Sequence, residues 1–274
     1  MYHSVKDIDI YYESYGSGIP VLMIHGCRPD HRLMKGCMEP VFQSLNSSFQ
    51  RIYFDLPGMG RTKSAPWITG SDHMLEIVSC FIDGVIPDKR FLLVGESYGG
   101  YIARALIKER YSYIDGLLLI CPVSEPLYKN AVVPPRHIIE SDERLLQTLS
   151  ESERQQFEYI NVIQTREVWK RFKEDILPGL NDSDVDFIDK TFGESCSFRF
   201  DVNTLDKPFM KPSLMIMGRQ DFIVGYRDTW KIIEDYPRAS FVVLDKAGHN
   251  MQIEQFHLFN ELVEEWLRRV IAEA

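Results

Sequence analysis

The chain has 274 residues, 45% hydrophobic and 26% charged, proportions that suit one large α/β domain with room for an inserted subdomain. A formal net charge of −9 argues against a nucleic-acid partner, which needs clustered Lys and Arg against phosphate. No apolar run approaches the roughly 20 residues of a membrane span, and five scattered cysteines (Cys27, Cys37, Cys80, Cys121, Cys196) form no C-x-x-C pair, so zinc or dithiol chemistry is not expected.

Met1 to Tyr12 has neither the basic start nor the apolar core of a secretory signal. A reduced, cytoplasmic protein is therefore expected, with no cofactor, no metal, no membrane association and a small-molecule substrate; the oligomeric state stays open. Lys6 to Tyr12 alternates polar and apolar residues and predicts an edge hairpin strand. Val21 to Ile24 and Arg51 to Phe54 are buried strands, the first ending at His25-Gly26 and the second at Asp55. Phe91 to Val94 is another short apolar run, of the kind a central strand covered on both faces shows. Gly116 to Cys121, Ser213 to Met217 and Ser240 to Leu244 complete the strands. Helical spacing falls between them at Met38 to Leu45, His73 to Val85, Tyr226 to Asp235 and Phe256 to Ile271. In the helix after Ser97, Tyr101, Ile102, Ala105, Leu106 and Ile107 make the inner face, with Arg104, Lys108 and Arg110 on the other. The alternation predicts an α/β fold with a mostly parallel central sheet and helices on both faces.

Residues 123–211 break the alternation. They hold no buried strand pattern, only amphipathic stretches at Ser141 to Leu149, Ser150 to Ile160 and Glu167 to Ile176. The expected organisation is a core of 1–122 and 212–274 with a helical cap of 123–211 over the C-terminal ends of the strands. Phe157, Tyr159, Trp169 and Phe172 are its expected pocket-lining aromatics.

Gly95-Glu96-Ser97-Tyr98-Gly99 lies between a buried strand and a helix, in the G-x-S-x-G pattern of a sharp turn that lifts one serine hydroxyl clear of a sheet. Ser97 is the expected nucleophile, with small residues two positions to either side because neighbouring chains must pass close. A serine hydroxyl needs a base, normally a histidine held by a carboxylate. Among seven histidines His249 is favoured, because Ala247-Gly248-His249-Asn250 forms a small-residue loop after the last strand. The acid is Asp221, in the exit loop of the penultimate strand and 28 residues before His249. Asp228, Asp206 and Glu125 are weaker candidates. Backbone amides of Cys27 and Tyr98 are the expected oxyanion hole. Arg28 is either a partner for an anionic substrate group or a solvated loop residue, and Glu96 either meets a substrate amine or points away. Asp30 and His31 order the oxyanion loop, Asp55 and Arg61 brace a turn, and Cys27 is a small buried thiol rather than a second nucleophile.

Ile24-His25-Gly26, Asp55-Leu56-Pro57-Gly58-Met59-Gly60, the serine turn, Met217-Gly218-Arg219-Gln220-Asp221 and Ala247-Gly248-His249 together resemble the α/β-hydrolase superfamily along nearly the whole chain. They look most like its small, lid-bearing branch of esterases, carbon–carbon bond hydrolases and proline iminopeptidases. Serine rather than aspartate at position 97 speaks against haloalkane dehalogenases and epoxide hydrolases, and His25-Gly26-Cys27-Arg28 departs from the HGGG-type loop of some lipases. The resemblance implies a serine hydrolase on a small-molecule ester, amide or activated C–C bond, most simply a carboxylesterase. An iminopeptidase would need an acidic pocket, for which Glu140, Asp142, Glu143, Glu151 and Glu153 are available. A ligand sensor that retains the triad is the other alternative.

Overall fold

In the computed structural model, which describes residues 1–45, 48–193 and 195–273, the chain opens with a hairpin. β1 (Tyr2–Val5) and β2 (Ile8–Tyr15) pair antiparallel, and β2 pairs antiparallel with β4 (Phe49–Phe54). From there every neighbour is parallel: β4 with β3 (Ile19–Ile24), β3 with β5 (Phe91–Glu96), then β6 (Ile114–Ile120), with Ser213–Gly218 and Ala239–Leu244 on the far side.

The insertion adds β7 (Glu140–Ser141) and β8 (Ile163–Gln164), which pair only with each other, so the last two strands of the large sheet are β9 and β10. The large sheet has the order β1-β2-β4-β3-β5-β6-β9-β10. The chain leaves β3 in one direction and returns from β4 to β5 on its other side. That reversal opens a crevice beyond the C-terminal ends of β3 and β5, where an open α/β sheet places its ligands.

Helices cover both faces. α1 (His31–Ser44) packs with α11 (Phe256–Ile271) on one side, and α2 (Ser71–Val85) with α3 (Tyr98–Arg110) on the other. The period-2 alternation of β3 sends Val21 and Met23 to the first layer and Leu22 and Ile24 to the second. Trp266 is fully buried between α11 and the sheet, and its indole N–H donates to Pro212 O at 3.0 Å.

Between β6 and β9 lie α4 (Glu143–Leu146), α5 (Glu151–Ile160), α6 (Arg166–Arg171), α7 (Leu177–Asp182) and α8 (Val185–Phe192). Their starts are written in cap residues. Ser150 and Glu153 form a reciprocal capping box, and Asp142, Thr165 and Asp184 each accept a first-turn amide. α6 runs into α7 through a wider π turn at Phe172–Ile176. Short α9 (Arg227–Trp230) and α10 (Met251–Glu254) follow β9 and β10.

Four local expectations change. α1 begins seven residues before Met38, because Asp30 caps it by accepting Arg32 N–H at 2.9 Å; Pro40 is accommodated inside it. The helix expected over Tyr226 to Asp235 ends at Trp230 and resumes as a single tight turn at Ile233–Asp235, where the β-branched pair Ile232-Ile233 and Pro237 disfavour a longer helix. Arg104 is fully buried rather than on a solvent face. Its guanidinium donates to Val123 O at 3.1 Å and to Asn203 Oδ1, so it grips the chain at both roots of the insertion. Phe157, Trp169 and Phe172 pack on one another, with centroids 5.1–6.0 Å apart, as part of the apolar core; of the four expected aromatics only Tyr159 faces the cleft.

Candidate active site

Ser97 sits at the turn from β5 to α3 with φ 52° and ψ −117°, a left-handed geometry that costs a non-glycine residue on the order of 1–3 kcal/mol. Its neighbours show why the turn is built from glycine. A Cβ on Gly95 would lie 2.5 Å from Gly99 O, and one on Gly99 would lie 2.2 Å from Ile24 O. The strained turn is fastened on both sides. Ser97 N–H donates to Ile120 O at 2.9 Å, and its own carbonyl accepts Val123 N–H at 3.0 Å.

The three residues expected to act together meet here. His249 Nε2 lies 3.0 Å from Ser97 Oγ, and His249 Nδ1 lies 2.9 Å from Asp221 Oδ2. All three side chains are buried. The other Asp221 oxygen accepts Ile223 and Val224 N–H at 2.9 and 3.1 Å, which fixes the carboxylate plane. Burial pulls the His249 pKa down, but the charge and hydrogen bond of Asp221, helped by Glu96 and Glu254, push it up to about 9. With Nδ1–H donated to Asp221, Nε2 is the nitrogen free to accept from Ser97. Glu125 is elsewhere: its carboxylate accepts the Leu127 amide at 2.9 Å. Asp228 holds Val132 N–H at 2.8 Å and the Lys231 ammonium.

The β3 exit loop lies against the serine. A Cβ on Gly26 would be 3.0 Å from Ser97 Cβ, so only glycine lets this backbone come so near. His25, fully buried, accepts Leu56 N–H at Nε2 (3.0 Å) and donates from Nδ1 to Gly26 O (2.7 Å); burial lowers its pKa, which keeps it neutral for that double role. Behind it, His31 Nδ1 lies 2.7 Å from Asp55 Oδ1, while Asp55 also accepts the amides of His31 and Arg61. Asp30, His31, Asp55 and the Arg61 backbone thus hold the loop and the following turn, as expected. Cys27 borders the cleft, and burial pushes its thiol up to about 12, which leaves it protonated. Tyr98 N–H belongs to the first residue of α3, a position with no partner inside the helix.

A cleft of about 880 Å³ reaches Ser97 and His249. Its floor is Gly26, Cys27, Leu33 and Glu96 from the core. Ile160, Leu180, Ile188 and Phe192 from the insertion make an apolar wall. At its mouth the Arg28 guanidinium, on a residue at φ 83°, pairs with Asp189 of α8 at 2.8 Å. The acids Glu140, Asp142, Glu143, Glu151 and Glu153 border none of this space; among the described residues the acids that do are Glu96 and Asp189.

Sequence reasoning missed one set of contacts. The buried Glu254 carboxylate accepts Val162, Ile163 and Gly248 N–H at 2.7, 3.1 and 2.5 Å, and Asn250 Nδ2–H donates to Asn161 Oδ1 at 3.0 Å. The loop that carries His249 is thereby sewn to the insertion. Met251-Gln252-Ile253-Glu254-Gln255-Phe256 is half polar, so the sequence carried no local signal that Glu254 is buried. Among the described residues two buried groups bring metal-type donors within 4.8 Å, Cys121 with Asp221 and His249, and Asp30 with His31 and Asp55. In both, the carboxylate and imidazole atoms are spent on one another and on backbone amides, so neither presents an open ligand set. Among the described residues no helix is long and apolar enough to cross a membrane.

The chain belongs to the alpha/beta hydrolase family, whose model matches residues 21–262. It is 25% identical over 269 residues to a pimeloyl-[acyl-carrier protein] methyl ester esterase of Legionella pneumophila (strain Corby), covering 95% of this chain and 100% of that one. It is also 25% identical over 274 residues to a 2-hydroxy-6-oxononadienedioate/2-hydroxy-6-oxononatrienedioate hydrolase of Burkholderia vietnamiensis, covering 96% and 92%. Among solved structures, an alpha/beta superfamily hydrolase of Oenococcus oeni PSU-1 superposes with a TM-score of 0.89 at 30% identity, over 98% of this chain and 99% of that one. The family and its esterase and C–C hydrolase relatives define this protein as an α/β-hydrolase-fold hydrolase.

Proposed function

We propose that this protein is a serine carboxylesterase that works through an acyl-enzyme on small, largely apolar esters. The observation that carries the reading is the unbroken line from Ser97 Oγ through His249, at 3.0 Å, to Asp221, at 2.9 Å. Ser97 Oγ attacks the ester carbonyl carbon as its proton passes to His249 Nε2. Asp221 holds the imidazole in the tautomer that can accept and stabilises the imidazolium that forms. The negative oxygen is received by the Cys27 and Tyr98 amides. The imidazolium returns the proton to the departing alkoxide, and water, activated by the same nitrogen, releases the acid and frees Ser97.

In this reading residues 123–211 are a cap, because Ile160, Leu180, Ile188 and Phe192 form a wall of the cleft. A cap that excludes water when substrate fills the cleft strengthens each contact to the developing charge. The five free thiols suit a reducing compartment such as the cytoplasm. The equal identity to the esterase and the C–C hydrolase relatives keeps an activated C–C bond as the second substrate class, handled by the same residues.

Purified protein should react once with a fluorophosphonate, at Ser97, and should turn over p-nitrophenyl esters repeatedly. No labelling at Ser97 overturns the mechanism. One turnover followed by arrest favours a ligand sensor, and turnover of a dienedioate in preference to every ester favours the C–C hydrolase.

A further inference from the structure

Glu96 is the buried group at this site that the mechanism leaves unused. It is 2% exposed, and its Oε1 lies 3.7 Å from His249 Nε2, the nitrogen that exchanges protons with Ser97. Its Oε2 has no hydrogen-bond partner and rests on the bare Cα of Gly26, where a Cβ would approach to 2.2 Å. A lone buried oxygen is tolerable as the carbonyl of a neutral acid and costly on a carboxylate. Conversely, a carboxylate beside Nε2 favours the imidazolium.

We propose that Glu96 is a positioning residue whose carboxylate, facing His249 Nε2, holds the imidazolium proton in place and so sets the pH at which the imidazole becomes free to accept from Ser97. In the resting state the proton sits on Nε2 and faces the Glu96 carboxylate; in the productive state it has left to solvent and Nε2 is free. At 3.7 Å each group moves the other's titration, so the pair titrates as a unit. Burial pushes the Glu96 pKa up to about 7, against the opposing pull of His249 and of the Gly26 amide.

The other groups facing the pair come from every surrounding element. Asp221, from the β9 exit, is spent on Nδ1. Glu254, from α10, is raised to about 7 by burial despite its three amides. Cys121 at the end of β6 and Cys27 after β3 are both raised by burial, and so is Cys37 on α1. Glu96 is thus the acid that faces the working nitrogen.

The proposal rests on the esterase reading, and its test separates the two. In E96Q the acid limb of kcat/KM should move down by about one pH unit, because loss of the neighbouring anion lowers the imidazole pKa. E96L, which removes the charge in an apolar setting, should shift it the same way and serves if E96Q does not fold. Where turnover is too slow to follow, NMR titration of His249 in a Ser97→Ala background, with and without E96Q, supplies the same shift. A limb or a His249 titration that stays within about 0.3 unit of the parent overturns the role of Glu96. Wild-type protein that fluorophosphonate does not label at Ser97 sinks the esterase reading instead.

Discussion

The Glu254 carboxylate accepts the Gly248 amide at 2.5 Å, across a turn of only six residues, and places the backbone immediately before His249. The same carboxylate holds Val162 and Ile163 of the insertion, so one buried charge ties the imidazole loop to the chain above it. Glu254→Gln puts an amide where three donors converge. It should cost about 2 kcal/mol and lower the melting temperature by several degrees. Calorimetry checks this; an unchanged melting temperature would mean that the three contacts contribute nothing.

Ser97→Ala should fold normally and lose at least about 10³-fold in rate, keeping only the contributions of binding and the oxyanion amides. Steady-state kinetics on one p-nitrophenyl ester, with circular dichroism as the folding control, decides it.

Asp221→Asn should lower kcat by roughly 10³–10⁴-fold, because an amide favours the wrong imidazole tautomer. Glu125→Gln should leave kcat nearly unchanged, since that carboxylate caps Leu127. The reverse ranking would relocate the acid to the end of β6.

Activity should rise with pH well beyond the ordinary histidine range, toward His249 at about 9. The protonated imidazole cannot accept from Ser97, so the rate is low below the folded pKa and grows as the proton leaves. The stability contribution has the opposite trend. A raised pKa stabilises the fold fully below the unfolded value of 6.5 and is lost as pH climbs through about 9. The melting-temperature gap between wild type and His249→Asn should therefore narrow over that window.

Substitutions in the insertion should separate into two kinds. Phe157→Ala opens a cavity among Trp169 and Phe172 and should cost about 3–5 kcal/mol while leaving the ranking of esters intact. Ile188→Trp narrows the cleft wall and should shift preference toward shorter acyl chains. An ester series read alongside melting temperatures distinguishes them, and a ranking unmoved by Ile188→Trp would count against the cap.

The parallel sheet and the strand tips were legible in the chain itself, because buried strands are short apolar runs and the serine turn needs glycine wherever backbones nearly touch. Order along the chain also pointed to the loops where a candidate base and a candidate acid would leave the sheet, which favoured His249 and Asp221 among seven histidines and many acids. What lay beyond the sequence was set by burial of charge. Arg104 has the spacing of a solvent-facing residue, yet the chain at Val123 and Asn203 closes over it. Glu96 and Glu254 look like ordinary acids until the fold removes their water, and Phe157, Trp169 and Phe172 look like pocket residues until they find one another. Local patterns report the period of an element and the cost of its turns. Which face a second layer then covers depends on contacts between residues far apart in the chain, 99 positions for Arg104 and Asn203, and that only the tertiary structure decided.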